Sequence, residues 1–427
     1  MAFRKVNNWL HLWLGLGSGI IVFIVCITGC IWVFNEEIDA LLAPETVIQQ
    51  QDKPVLVPSQ LAKITTQLYT DKNILYVTYQ QGRAVNVGIG SRQGEGATLK
   101  VNPYTGDVIS NKQRKKGDVN FFDFILSGHR FLWMPYEIGR PIVNYATLIF
   151  VVLLITGLVW WYPKKWNKKT TEKSFKIKWG GSFKRVNLDL HNVLGFYSLL
   201  FLLAIALTGM VYGIKWYSES MYWATSGGQS LGEFSRLKSD SLQTEKFYAS
   251  EQAIDKAFLF AMAENPKAEG FYYSFPDTAK ASSVISIYVY PTSGQFYNNK
   301  SYQFDQHTLK QLKGTSPVYD QDYEQAGFGG KLRKMNYDIH VGSILGFPGK
   351  VLAFLASLIG ASLPITGFLV WWGRKYGKNR KVKAPSQTDF SATPRSTVPR
   401  NFVPKRISKK LVLQEELPIL QTNTNKI

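Results

Sequence analysis

Cysteine, histidine and acidic residues are all scarce in this chain. Two cysteines in 427 residues, Cys26 and Cys30, allow no disulfide framework, no Cys-x-x-Cys pair and no Cys-x-x-Cys-His haem attachment. They stand one helical turn apart in an apolar run, where packing as small apolar residues is their expected role. No dinucleotide glycine fingerprint sits between a strand and a helix. Gly88-Ile89-Gly90 and Gly94-Glu95-Gly96 read as hairpin glycines. Thirty Asp and Glu face fifty Lys and Arg, a net charge of +20. A soluble protein of that balance could bind nucleic acid. Charge is missing altogether, however, from residues 12–34, 141–162, 193–214 and 351–372. Runs of this length, at about 1.5 Å per residue, cross a hydrocarbon core of roughly 30 Å. The chain reads as a polytopic membrane protein, and nucleic acid is not an expected partner.

The remaining charge orients it. Residues 1–11, 163–191 and 373–427 together hold 24 Lys and Arg against 5 Asp and Glu, whereas the rest holds 26 against 25. The positive-inside rule puts both termini and the middle loop in the cytoplasm, with contact to anionic lipid, and two long segments outside. Arg4 and Lys5 followed by an apolar run resemble a signal peptide, and Ile27-Thr28-Gly29-Cys30 resembles a cleavage box. The run continues through Phe34 and is long for such a segment, so an uncleaved span is expected.

An internal duplication is visible. Every span carries a Thr-Gly pair: Thr28-Gly29, Thr156-Gly157, Thr208-Gly209 and Thr366-Gly367. His11 precedes its Thr by 17 residues, as does His191; His129 precedes the next by 27 and His340 by 26. The predicted fold is therefore a membrane α-helical bundle of four transmembrane helices, internally duplicated, with two small periplasmic α+β modules. The expected divisions are 1–35 (first helix), 36–117 (module 1), 118–163 (histidine segment and second helix) and 164–190 (basic loop). They continue with 191–216 (third helix), 217–335 (module 2), 336–373 (histidine segment and fourth helix) and 374–427 (basic, disordered tail with a short surface helix at 407–420). In the modules, helices are predicted at 59–69 and 250–264, with strands at 74–79, 84–90, 271–275, 284–290 and around 101 and 302–305.

Four of the five histidines occupy the repeated positions; His307, in a hairpin of module 2, reads as surface structure. One reading makes the four amphipathic boundary residues. The other starts from the cost of an ionisable group at membrane depth. Two imidazoles per membrane face, without carboxylate or thiolate neighbours, suit axial ligation of a b-type haem. Trp13, Phe131, Trp133, Phe196 and Tyr197 are candidates to line the slot. Asp189 and Asp338, two residues before His191 and His340, either orient the imidazoles or cap helices. Arg130, Arg140, Arg185 and Lys350 either meet haem propionates or anchor the interface.

Leu10-His11 with Gly15, the turn Asn102-Pro103-Tyr104-Thr105-Gly106, Ser127-Gly128-His129 and Asp338-Ile339-His340 resemble the PepSY-associated transmembrane family over residues 1 to about 385. The resemblance implies a bacterial inner-membrane protein tied to iron uptake, some members being di-haem reductases of periplasmic ferric siderophores. It implies that His11 and His191 hold one non-covalent b-type haem and His129 and His340 the other. The chain departs from the pattern at Asp305-Gln306-His307-Thr308-Leu309, where the turn lacks its glycine. The leading expectation is a haem-dependent ferric reductase-type oxidoreductase, with a flavoprotein or quinone as electron donor and a ferric siderophore or other ferric complex as acceptor. Its rivals are a non-redox protein whose modules bind a peptide or protease, and a copper- or zinc-handling protein built on the same histidines.

Overall fold

The computed structural model describes residues 2–376 apart from 92–93, 241–250, 278, 315 and 317. The tail expected at 377–427, with its surface helix, lies outside the described residues. The first half of the chain runs α1 (Ala2–Trp32), α2 (Asn35–Leu42), α3 (Pro58–Leu68), β1 (Ile74–Gln80), β2 (Val85–Gly90), β3 (Gly96–Val101), β4 (Val108–Arg114), α4 (Phe121–Phe131) and α5 (Tyr136–Trp161). A short helix α6 (Lys168–Phe175) leads into the second half. There α7 (Phe183–Asp189) passes through a π-helical turn, Leu190–Leu194, into α8 (Gly195–Gly213). Then follow α9 (Lys215–Thr225), α10 (Glu251–Glu264), β5 (Gly270–Ser274), β6 (Val284–Tyr290), β7 (Lys300–Asp305), β8 (Gln311–Leu312), α11 (Phe328–Val341) and α12 (Gly346–Lys375). The order long helix, short helix, helix, four strands, helix, long helix occurs in each half.

Among the described residues four helical segments are long and apolar enough to cross a membrane: Ala2–Trp32, Tyr136–Trp161, Phe183–Gly213 and Ser343–Lys375. Each contains nearly all of one uncharged run and continues past it into polar sequence. They close into a ring in which α1 and α8 each pack against both α5 and α12. Between helices in lipid the drive is close packing rather than the hydrophobic effect. Small residues permit it: a methyl group on Gly360 would lie 3.0 Å from Leu202 and 3.1 Å from Cys26. Val22, Phe150, Leu154, Leu202, Ala206 and Met210 meet at mid-bundle.

The strands of both halves form one eight-stranded antiparallel sheet, ordered β4-β3-β2-β1-β5-β6-β7-β8. The splice is β1 to β5, from Tyr76 opposite Ser274 to Gln80 opposite Gly270. Taken alone, each four-stranded set would leave a tyrosine-bearing edge unpaired, and pairing the two edges removes that liability. Val77, Val87, Leu99, Tyr273 and Ile287, all 0% exposed, point to the side covered by α3 and α10. These two helices are joined by Asp255, which accepts from Ser59 N (3.0 Å) and Oγ (2.6 Å).

The two module turns share one geometry despite their different sequences. Asn102 Oδ1 accepts from Tyr104 N (2.9 Å), with Gly106 at φ +84°. Asp305 Oδ1 accepts from His307 N (2.8 Å) and Thr308 N (2.9 Å), with Leu309 at φ +57° standing where the first turn has its glycine. His307 is not a surface residue. It is 4% exposed, and its Nε2 bonds Ala281 O at 2.8 Å, because the turn folds inward against the 279–283 loop.

The sheet sits at the end of the bundle that carries α4 and α11. Lys350 pairs there with Glu37 (2.8 Å) and Glu36 (3.6 Å), and the fully buried Asp338 accepts from Phe296 N (3.0 Å) and Ser343 Oγ. Burial raises the Asp338 pKa above the usual carboxylate range despite those donors. Asp338→Ala strands both donors in a buried joint. The expected loss is about 2–3 kcal/mol of stability, read as a lower Tm in detergent, with Asp338→Asn losing less because it keeps an acceptor.

Candidate functional site

Four equivalent joints bring the repeated histidines and the Thr-Gly pairs together. His11 on α1 meets Thr156-Gly157 on α5, and His129 on α4 meets Thr28-Gly29 on α1. His191, in the π-helical turn, meets Thr366-Gly367 on α12, and His340 on α11 meets Thr208-Gly209 on α8. The glycine makes room in each case. A Cβ on Gly29, Gly157, Gly209 or Gly367 would lie 3.2, 3.2, 3.1 or 3.2 Å from the imidazole Cε1.

The bonding partners assign the proton of each ring to Nδ1. His129 Nδ1 lies 2.9 Å from Val25 O and His340 Nδ1 2.9 Å from Ile205 O. A carbonyl only accepts, so Nδ1 donates. His11 and His191 place Nδ1 at 3.0 and 2.9 Å from the Oγ1 of Thr156 and Thr366. Those hydroxyls donate their single proton to Val152 O and Ser362 O, at 2.8 and 2.9 Å, and therefore accept from the ring. All four imidazoles thus hold the Nδ1–H form and keep the Nε2 lone pair for another partner.

The joints lie within each half, whereas the histidines pair across the halves. The ring centroids of His11 and His191 are 6.3 Å apart at 84°, and those of His129 and His340 are 6.1 Å apart at 63°. An imidazole nitrogen on a transition metal sits about 2.0–2.1 Å from it and about 1.1 Å from its own ring centre, so two rings flanking one metal atom stand about 6.2–6.4 Å apart. The His11–His191 pair falls within that range, and the His129–His340 pair lies 0.1 Å short of it. Along α1, His11 and Gly29 mark the levels of the two pairs, 18 residues or about 27 Å apart.

The surroundings of the pairs differ. His129 and His340 line a cavity of about 450 Å³ that reaches inward past Val25 and Cys26 to Leu202, with Arg130, Arg140, Trp32 and Tyr337 also on its wall. His11 and His191 line one of about 60 Å³, with Trp160, Trp161 and Phe196; the Trp161 and Phe196 rings stack at 3.8 Å.

Several expected neighbours are elsewhere. Asp189 accepts from Arg185 Nε (2.7 Å) and Lys178 N (3.2 Å), and Asp338 holds the sheet. Neither touches an imidazole or caps a helix start, because residues two apart on a helix face opposite ways. Arg185 and Lys350 are committed to carboxylates, so of the four cations only Arg130 and Arg140 line the large cavity. Of the five aromatic candidates, Phe196 alone lines either of these two cavities. Trp13 and Tyr197 are exposed. Phe131 packs at a tilt against Tyr136, and Trp133 packs on Gly128 and Phe124 and donates to Phe124 O (2.8 Å). Trp133 thereby fixes the turn between α4 and α5, where Leu132 and Trp133 both take φ +57°. That turn allows His129 to sit on its own helix, level with the end of α1.

Three residues were missed by sequence reasoning. Asn7, Asn187 and Asn336, each four residues before a histidine, donate to the carbonyls of Thr156, Thr366 and Thr208 at 3.0, 3.0 and 3.1 Å. The recurring Asn-x-x-x-His spacing was their signal. The fourth joint has Ile125 at that place.

The family model for the PepSY-associated TM region matches residues 8–374, and the chain belongs to this family. No curated protein matches it.

Proposed function

We propose that the chain carries electrons across the bacterial inner membrane through two bis-histidine b-type haems and delivers them to a periplasmic ferric complex, with a ferric siderophore as the first candidate. The observation that carries this reading is the pair of His–His sites at opposite ends of one bundle, each at metal-bridging spacing and each with its lone pairs on Nε2. A porphyrin brings four nitrogens of its own and needs two from the protein. Zinc sites ordinarily take at least three protein ligands, and among the described residues no group of three His, Cys, Asp or Glu is placed to hold a metal. This favours haem over a zinc or copper site.

When bound, each haem would supply a one-electron carrier suited to transfer rather than oxygen chemistry. His11 and His191 would hold the cytoplasmic-side group, and His129 and His340 the periplasmic-side group. Arg130 and Arg140 present guanidinium charge to propionates at the larger cavity. The charge asymmetry sets the orientation, with both termini and the basic loop in the cytoplasm against anionic lipid and the sheet outside. The two halves arose by duplication, each giving one histidine to each site. A quinol or a reduced flavoprotein is the donor. Its two electrons reduce two Fe(III) complexes to Fe(II), and a quinol also releases two protons.

The test is a dithionite-reduced minus oxidised absorbance spectrum of detergent-purified protein, with haem and protein quantified on one sample. A low-spin b-type difference at about two haems per chain is expected. A colourless protein from cells supplied with haem would overturn the proposal and leave the sheet as a peptide- or protease-binding module.

A further inference from the structure

We infer that the threonine of each span is a positioning residue that sets the electronic character of its histidine, and that it does so unequally at the two membrane faces. The inference rests on the haem reading above and goes beyond it, since threonine is not a ligand. A ligating imidazole is oriented, and its basicity raised, by whatever accepts its other N–H. On the sheet side the nearest acceptor is a backbone carbonyl, Val25 O for His129 and Ile205 O for His340, both at 2.9 Å. The threonine hydroxyls are more distant, at 3.5 Å (Thr28) and 3.1 Å (Thr208). On the basic side the hydroxyl itself is the acceptor, Thr156 for His11 at 3.0 Å and Thr366 for His191 at 2.9 Å, with the Leu153 and Leu363 carbonyls alongside. Removing the hydroxyl therefore leaves the basic-side imidazoles with the Leu153 and Leu363 carbonyls alone, while the sheet-side imidazoles keep their 2.9 Å carbonyl bonds.

The asparagines account for the gradation within the set. Asn7, Asn187 and Asn336 each pin the carbonyl of the threonine that faces their own histidine, and in those three joints the Thr–His distance is 2.9–3.1 Å. Where Ile125 replaces the asparagine, the Thr28–His129 distance opens to 3.5 Å. The clamp holds two helices in register through one threonine, its hydroxyl engaged by the histidine and its carbonyl by the asparagine one turn earlier on the same face.

The test is a potentiometric titration of the purified holoprotein, following each haem by absorbance in Thr156→Val, Thr366→Val, Thr28→Val and Thr208→Val. Loss of an N–H acceptor makes the imidazole a weaker donor to ferric iron, so the potential rises. The expected result is a clear upward shift of one haem in Thr156→Val and Thr366→Val, the same haem in both, and a smaller shift of the other in Thr28→Val and Thr208→Val. Thr366→Ser should restore the wild-type value, which a role for the methyl group alone would not. Equal shifts at the two faces, or none, would overturn the inference while the haem assignment stood. A wild-type protein without haem would overturn both. If a valine variant fails to fold, the alanine variant at the same position gives the same readout, since it too lacks the hydroxyl.

Discussion

His340→Ala is expected to empty or unligate one haem and leave the other spectrally unchanged, and His129→Ala is expected to affect that same haem. Haem content falls from about two per chain toward about one, or the affected site becomes high-spin with a single axial ligand. The reason is the cross-half pairing of the histidines: on the proposed haem reading each iron would take one ligand from each half of the chain, and neither half would complete a site alone. His11→Ala and His191→Ala should hit the other haem in the same way. Because the two ligands of a pair act as a unit, the double variant His129→Ala/His340→Ala should lose little more than either single one. Ferric reduction by a membrane donor should fall at least 100-fold in all four single variants, since an electron must pass both levels. Haem quantification with low-temperature difference spectra makes the comparison. If His129→Ala and His340→Ala perturbed different haems, the pairing at 6.1 Å would not be the functional one.

The second large effect should come from a residue without chemistry of its own. Gly209 faces His340 at a place where a Cβ would already sit 3.1 Å from Cε1. Alanine needs a shift of a few tenths of an ångström and should be tolerated with modest loss. Valine adds two methyl groups on the same side. The imidazole cannot retreat, because its Nδ1 is tied to Ile205 O on one side and the slot toward His129 lies on the other. Overpacking of this kind typically costs about 1–3 kcal/mol, and disturbing a ligand's support about 10–100-fold in affinity. Gly209→Val should therefore purify with the sheet-side haem depleted while the basic-side haem is retained, and Gly367→Val should give the mirror result. A Gly209→Val protein with normal haem content and spectrum would show that the ring is free to move and that the Thr-Gly cradle does not confine it.

What could be read from the sequence depended on how local each signal was. The spans are legible because each holds a long uncharged run, and most of the strands because β-branched and aromatic residues crowd them, whereas β4 and β8 were not foreseen. The histidines stood out through equal offsets in the two halves, a signal that survives without knowing what touches what. The Thr-Gly pairs were equally visible, but their use was not, because each meets a histidine 100 or more residues away on another helix. Residue neighbours misled in the opposite direction. Asp189 and Trp13 each stand two positions from a histidine in sequence, and both fall on the opposite side of the helix from it. Asn187, four positions away and unremarked, shares its face. Lys350 looked like an anion binder because Glu37, which neutralises it, is placed only by folding, whereas Asp189 stands one helical turn from Arg185 and was a pairing the sequence already offered. The joining of the two strand sets likewise depends on which edges meet, and an edge carries no label of its partner.

That splice between β1 and β5 has a mechanical meaning. It works as a brace across the two halves at one end of the bundle only, a ladder of backbone bonds lying between the two arms that carry His129 and His340. At the opposite end the halves are linked by the 162–182 connection and by side-chain packing around Trp161. A frame braced at one end flexes at the other. The spacing of His129 and His340 is thus held by a backbone ladder, whereas that of His11 and His191 rests on side-chain packing around Trp161. If the proposed haems are bound, the basic-side pair is therefore expected to be the more sensitive of the two to the surrounding lipid.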